Sequence, residues 1–577
     1  MQLLHPPIAP WRVRQPHGCE ITLLVRSDQP VQPLLRHLPD NEEELLPLQP
    51  AGQQGGWTLW RGLLPWDRGN LVTRYGFKLL AGGTQHWLAA DGLHPRAPGE
   101  HCLFRVNREH TPPAWVRDQV FYQVFPDRFA RGTAGPVKLP PSMPGEPPNE
   151  SRAWGEPVPA DRPGTVFYGG DLPGIEQRLG YLRDELGATA LYLNPVFRSR
   201  SNHKYDTESY DEVDAGFGGN EALARLRGAL RERGMRLVLD AVVNHTGAQH
   251  PWYAPGSPER GHYAVDAQGR TPGWKGYASL PVLDYANPAV KQAMFEAPGS
   301  VMRRWLQPPY AIDGWRLDAV HMLGEGLGAH NNAGVLREMR RAVKAQQPEA
   351  YLVGEHFFEA TAWLQGEQED GAMNYFGFAH PLRAWLAGQD IAYQPIRLST
   401  HDFAAWLREA MAAVPYDNQL AQLNLLDSHD TQRFLTLLGG DVQAMQLAVT
   451  LLMSFPGTPC VYYGDEIGLE GGNDPDCRRC FDWDRGRWNR PLFEHYREAI
   501  ARRHARRELR EGAFLELHAE GELYAFARFT DSAATVVAVN RGNAATSLDV
   551  DLGRLPCGLA GRLALEVAPR GSAVWCS

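Results

Sequence analysis

Two rhythms of hydrophobic residues alternate along the chain. From residue 1 to about 110, apolar and polar residues trade places in short runs broken by Gly, Pro and Asp, as at 20–25, 56–60 and 73–80. Such runs specify short antiparallel strands, so residues 1–112 are expected to form a β-sandwich. After Thr111-Pro112-Pro113 the pattern changes. Continuous apolar runs at 120–124, 190–193, 236–241, 314–318, 351–354, 423–426 and 460–463 alternate with amphipathic stretches such as 219–233 and 334–347. A continuous apolar run suits a strand buried on both faces, and its alternation with helices suits βα units. Seven such runs in residues 113–505 approach the eight of a closed (β/α)8 TIM barrel, which is expected in preference to an open sheet. Strand-like runs return at 524–528 and 535–539, so residues 506–577 are expected to be a C-terminal β-sandwich. Two long irregular stretches interrupt the barrel pattern, a Pro-rich one at 133–165 and a Gly-, Pro- and aromatic-rich one at 247–285. The second follows the third strand and is expected to form a small inserted domain at about 246–285. Loops of this length in a compact domain are functional or disordered.

Composition narrows the function classes. The chain has 577 residues, too many for one core, and 43% hydrophobic residues, enough for a large buried interior. Its net charge is −9 and it has no long basic run, which argues against nucleic acid and anionic membranes as partners. No apolar stretch approaches a membrane span. The first twenty residues lack a cationic start followed by an apolar segment, so no signal peptide is expected. The seven cysteines are scattered, and the one CxxC pair, Cys477 and Cys480, has no second pair to complete a structural zinc site. They read as free thiols in a reducing cytoplasm.

Four strand ends carry acids where an apolar strand should not. In Asp313-Gly314-Trp315-Arg316-Leu317-Asp318, Arg316 and Asp318 share one face of a strand. Burying them costs several kcal/mol unless they are paired, but at the C-terminal end of a barrel strand they would project together into the active-site mouth. Arg316 is expected to lower the pKa of Asp318, as suits a nucleophile. Glu355 ends a second strand in an apolar setting that is expected to raise its pKa, as suits a general acid. Asp430 follows a third strand and Asp240 ends a fourth, with His245, His321 and His429 nearby. Each acid alone reads as a cap or surface charge. Together they match the two-carboxylate solution for glycoside cleavage, with the pair about 5 Å apart in retaining enzymes.

These segments resemble the signature regions of the α-amylase superfamily, glycoside hydrolase family 13: 240–245, 314–321, 354–356 and 425–430, supported by Phe121 to Phe129 and Tyr462 to Glu466. The N-terminal β domain, 187–197, His203 to Thr207 and 167–172 are similar to the neopullulanase and cyclomaltodextrinase group. Where that group carries a Met-Pro-Lys-Leu-Asn-like fifth region, this chain has Leu280-Pro281-Val282-Leu283-Asp284-Tyr285. That departure, with 36–44 and Met322-Leu323-Gly324-Glu325, resembles the maltodextrin glucosidases.

The resemblance implies a retaining α-glucoside hydrolase that trims α-1,4-linked maltodextrins and releases glucose. A cyclomaltodextrinase or neopullulanase with transglycosylation activity is the alternative, and a catalytically dead binding subunit is the outlier. It implies Asp318 as nucleophile, Glu355 as acid/base and Asp430 as the acid that holds ring hydroxyls of the distorted sugar. Tyr205, Asp206, His245, Arg316, His429 and Arg433 are implied around that sugar. Trp274, Trp252 and Tyr253 stand for outer subsites or for packing of the inserted segment, and Trp154 for a lid or a packed loop. Asn244 matches a calcium ligand of many α-amylases, although no essential metal or other cofactor is expected. The implied partners are maltooligosaccharides, with the protein a monomer or homodimer.

Overall fold

The computed structural model of the chain describes residues 1–326 and 329–577. Its centre is a ring of eight parallel strands: β1 (Phe121–Val124), β2 (Ala190–Leu193), β3 (Arg236–Ala241), β4 (Gly314–Leu317), β5 (Tyr351–Gly354), β6 (Gly371–Ala372), β7 (Leu423–Asn424) and β8 (Thr458–Tyr462). The hydrogen-bonded order runs β6-β5-β4-β3-β2-β1-β8-β7. A parallel bridge between Met373 and Leu423 joins the two ends. Helices Gly219–Glu232 and Asn332–Gln346 agree closely with the amphipathic stretches at 219–233 and 334–347.

The apolar runs become strands because both of their faces are covered. Outward side chains such as Leu237, Leu239, Trp315 and Leu352 pack under the helices. Inward ones such as Tyr192, Val238, Tyr351 and Val353 fill the barrel. Strand β6 has no apolar run to announce it: two small residues follow the buried acids Glu369 and Asp370.

Register sets the level of the acids. Asp318 N–H bonds Ala241 C=O at 3.1 Å, and Glu355 N–H bonds Leu317 C=O at 3.1 Å. The two acids therefore leave adjacent strands just past the last paired residues, in the barrel mouth. Gly354, immediately before Glu355, has no room for a side chain, since a Cβ there would lie 2.1 Å from the carboxylate of Glu369.

The flanking regions are antiparallel sheets. The N-terminal pair encloses Ile21, Leu35, Phe77 and Val106. The C-terminal region combines Ala513–Glu520, Leu523–Phe529, Ala534–Asn540 and Gly571–Cys576 with the hairpin Thr546–Asp551/Arg562–Val567. The two ends of the chain also meet. Trp11, Leu24 and Trp57 share an apolar cluster with Phe529, Val536 and Val550, and Trp57 Nε1 donates to Gly553 C=O at 3.0 Å. Arg12 and Arg14 tie the N-terminal region to the barrel through Asp417, at 2.7 and 2.6 Å.

The Pro-rich stretch carries almost no regular structure but is firmly pinned. Asn149 Nδ2 donates to the carbonyls of Pro140 and Arg200 at 3.1 and 3.0 Å. Asn202 Nδ2 reaches Pro163 C=O at 2.9 Å. The stretch after β3 contains two short 3-10 turns and a hairpin, Gly273–Trp274 with Tyr277–Pro281.

Candidate active site

Arg316 organises the mouth of the barrel. Fully buried on β4, its Nη1 lies 2.9 and 3.0 Å from the two oxygens of Asp240 and 2.9 Å from Asp318 Oδ1. Its Nη2 is 3.1 Å from Glu355 Oε1. One guanidinium thus holds three carboxyl groups, which fixes Asp318 and Glu355 side by side. The other Glu355 oxygen accepts the N–H of Ala319 at 2.7 Å. That bond requires the chain to turn sharply after Asp318, and Ala319 adopts φ 45°, a left-handed conformation that costs about 1–3 kcal/mol.

Burial dominates the charges here. It raises Asp240 to about 6 against the pull of Arg316. It also pushes Asp318 well above the usual carboxylate range; Arg316 opposes the rise, while Glu355 and Asp240 add to it. The expectation that Arg316 lowers the Asp318 pKa is therefore corrected. Arg316 acts in the expected direction, but desolvation and the crowding of three acids outweigh one cation.

A second chain of contacts fixes the histidine and the third acid. Gln123, on β1, donates from Nε2 to His429 Nδ1 at 2.8 Å. His429 is completely buried, and burial holds its pKa far down, so it is neutral and carries its proton on Nε2. That atom faces Tyr205 Oη at 2.6 Å and Asp430 Oδ2 at 3.0 Å. Tyr205 donates onward to Asp240 Oδ2 at 3.0 Å and accepts from Asn194 Nδ2 at 3.1 Å. Asp430 keeps a 27% exposed side chain, with Arg478 Nη2 3.2 Å from its Oδ1.

Asp318, Glu355, Asp430, Tyr205, His245 and Trp274 line one cavity of about 770 Å³. The Trp274 ring lies 5.6 Å from that of His245 at 33°, and burial lowers His245 to about 4. Asp206 borders the same cavity, yet its carboxylate is spent on its own loop, accepting the N–H groups of Arg200 and Ser201 at 3.1 and 3.2 Å. It shapes the Tyr205 loop rather than offering a free acceptor.

Arg433 needs a larger correction. It lies outside the cavity lining, fully buried, with Nη1 2.8 Å from Asp465 and Nε 3.0 Å from Cys477 C=O. The arginine that does reach Asp430 is Arg478, which follows β8. Trp252 packs between His250 and His262, and Tyr253 packs on Tyr263. Trp154 donates to Phe481 C=O at 2.9 Å and packs on Val166 and Tyr168. All three are packing residues. Asn244 lies beside His245, 3.4 Å from its Nδ1.

Several lining residues have no sequence signal: Met143 and Arg162 from the Pro-rich stretch, Lys275 and Tyr277 from the hairpin, Phe357 after β5, and Asp474 with Arg478 after β8. Gln123 could have been found, because it is a lone amide inside an apolar run.

A family model described as the alpha amylase catalytic domain matches residues 123–267 and 274–512. A cyclomaltodextrinase of Geobacillus thermopakistaniensis is 35% identical over 88% of this chain and 84% of its own length. Neopullulanase 2 of Thermoactinomyces vulgaris is 37% identical over 78% of this chain and 74% of its own. A solved cyclomaltodextrinase superposes with a TM-score of 0.71 at 30% identity, covering 95% of this chain and 93% of the other. The eight-strand barrel with three acids at its mouth agrees with these matches, and the chain belongs to the α-amylase family of glycoside hydrolases.

Proposed function

We propose that this enzyme hydrolyses short α-1,4-linked maltodextrins with retention of configuration and releases glucose. The observation that carries the retaining mechanism is the Arg316 guanidinium shared by Asp318 and Glu355. It holds two carboxyls close together, as in retaining glycosidases, where they stand about 5 Å apart; an inverting enzyme needs a wider gap for water.

Glu355 protonates the glycosidic oxygen while Asp318 attacks the anomeric carbon, so the bond to the leaving sugar breaks as a glycosyl–Asp318 ester forms. Glu355, now ionised, takes a proton from water, which attacks the same carbon and frees Asp318. Asp430 holds ring hydroxyls of the sugar as it flattens toward the oxocarbenium form, with bonds that tighten in the transition state. The Tyr205 ring completes that subsite, and neutral His429, buried behind it, positions Tyr205 and Asp430. Nucleophile and acid/base are both side chains of this chain, so no metal enters the proposed steps. Among the described residues no helix is long and apolar enough to cross a membrane, and the seven cysteines are unpaired. We place the enzyme in the cytoplasm on the second of these.

The preference for short chains rests on the cleft. The Pro-rich segment and the 273–281 hairpin both wall it, leaving a volume within the range of pockets that enclose compact ligands. A second reading, cyclomaltodextrinase or neopullulanase action with glycosyl transfer, is favoured by the names of the relatives. Digests of reducing-end-labelled maltotriose and maltoheptaose, β-cyclodextrin and pullulan separate the two. Labelled glucose from the linear chains, with little turnover of the others, supports the first. Maltose from cyclodextrin or panose from pullulan establishes the second.

A further inference from the structure

Far from the cleft in sequence, the N-terminal sheets bring three donors of different chemistry to one point. Asp91 lies in the turn between strands Thr84–Ala89 and Gly92–His94, and His94 ends the second strand, paired with Trp87. Cys102 ends the turn Glu100–Cys102, and its carbonyl accepts the N–H of Ala90 at 2.8 Å. Backbone pairing on both sides thus fixes the three positions. His94 Nε2 is 2.8 Å from Asp91 Oδ1, and the donor atoms of Asp91, His94 and Cys102 all lie within 4.8 Å of one another. Cys102 is buried, while Asp91 and His94 are partly open to solvent. The group therefore has a closed floor and an open side, and it takes no part in the proposed hydrolysis.

We propose that Asp91, His94 and Cys102 bind one thiophilic divalent cation of the zinc type. The donor set selects the metal class: magnesium and calcium take oxygen ligands, whereas zinc accepts thiolate, imidazole and carboxylate at about 2.0–2.3 Å. Three protein ligands leave one tetrahedral position, which water fills on the open side. A bound ion would tie the turn after Thr84–Ala89 to the segment that ends at Cys102, bracing the N-terminal sheets. In the rival arrangement, His94 simply hydrogen-bonds Asp91 with Cys102 packed alongside.

The test uses the full-length protein freed of metal with a chelator, then titrated with zinc and with cobalt. Wild type is expected to take up one tight equivalent and to show a thiolate-to-cobalt charge-transfer absorption. Cys102→Ser should abolish that absorption, and both Cys102→Ser and His94→Ala should weaken zinc binding at least about tenfold. Hydrolysis of maltotriose should be equal in the metal-free and zinc-loaded forms. Absence of a tight equivalent in wild type overturns the proposal, as does equal binding in wild type and Cys102→Ser, which would place the metal on other thiols or histidines. Cys102→Ser is nearly isosteric, so it decides the matter even if His94→Ala fails to fold by circular dichroism.

Discussion

At the floor of the cleft Asp240, Asp318 and Glu355 all meet Arg316, and none of the four is more than 7% exposed. At its walls Met143, Arg162, Lys275 and Tyr277 come from a Pro-rich segment and a hairpin tip, and Tyr277 is 61% exposed. Every floor position is determined several times over, by strand register, by shared ion pairs and by the Ala319 N–H on Glu355. Each wall position depends on turns and on side chains such as Asn149 that catch loop carbonyls. The contrast divides the labour. Chemistry demands placement to fractions of an ångström, so it belongs on the strand ends. Selection among sugars needs only complementary shape, so loops can provide it. Changes to the floor should therefore lower turnover on every substrate, and changes to the walls should alter which substrate and which product.

The largest effect is expected at the two catalytic carboxyls. Asp318→Asn and Glu355→Gln preserve volume while removing the nucleophile and the proton carrier, and each should lower kcat by about 10⁴-fold with folding intact. Steady-state rates on maltotriose, with circular dichroism as the folding control, check this. Near-normal turnover in either variant would sink the assignment. Arg316→Leu follows. It strands three carboxyls in a buried site, and breaking such a pairing costs about 3–5 kcal/mol of stability. A lower melting temperature and lost activity should appear together, whereas Arg433→Leu, outside the cavity, should lower the melting temperature with little change in KM.

The floor was legible in sequence because charge in an apolar strand is anomalous, and Arg316, Asp318 and Glu355 stand out wherever the chain folds them. The barrel was legible for a related reason, since strands covered on both faces read as unbroken apolar runs. Strand β6 was not, because two small residues beside buried acids carry no hydrophobic signal. Arg433 misled through adjacency. It follows Asp430 closely in the chain, but the turn sends it over Tyr462 at the end of β8 and against Asp465, and the arginine contact to Asp430 comes from Arg478, which follows β8. The walls were illegible because prolines and glycines reveal that a loop is present without fixing where it goes.

Between the acids and the walls stands the pH dependence. Burial raises Asp318 and Asp240, so protons enter the cluster at higher pH than in free carboxyls. Protonating Asp318 removes the nucleophile. The acid limb of kcat/KM should therefore lie above pH about 4, the ordinary carboxylate range, and report the cluster as a unit. Rates should fall about tenfold per pH unit below it. For stability the sign is the opposite of that for a salt-bridged acid. Asp240 binds its proton more tightly folded, at about 6, than unfolded, so its contribution to stability declines as pH rises from about 4 to about 6. A kcat/KM limb below pH 4 would show that Arg316 outweighs burial after all.

The smallest effect is expected at the wall, where two tryptophans of the same insertion make a controlled pair. Trp274 lines the cleft against His245, whereas Trp252 is packed between His250 and His262. Trp274→Ala removes an aromatic face from the cleft; aromatic contacts contribute about 1 kcal/mol, so KM for maltoheptaose should rise about fivefold with kcat nearly unchanged. Trp252→Ala should leave KM alone and lower the melting temperature instead, because its ring packs against Tyr210, His250 and His262. If the two variants exchanged behaviours, the insertion would meet sugar through its packed face, and the boundary between floor and wall would have to be redrawn there.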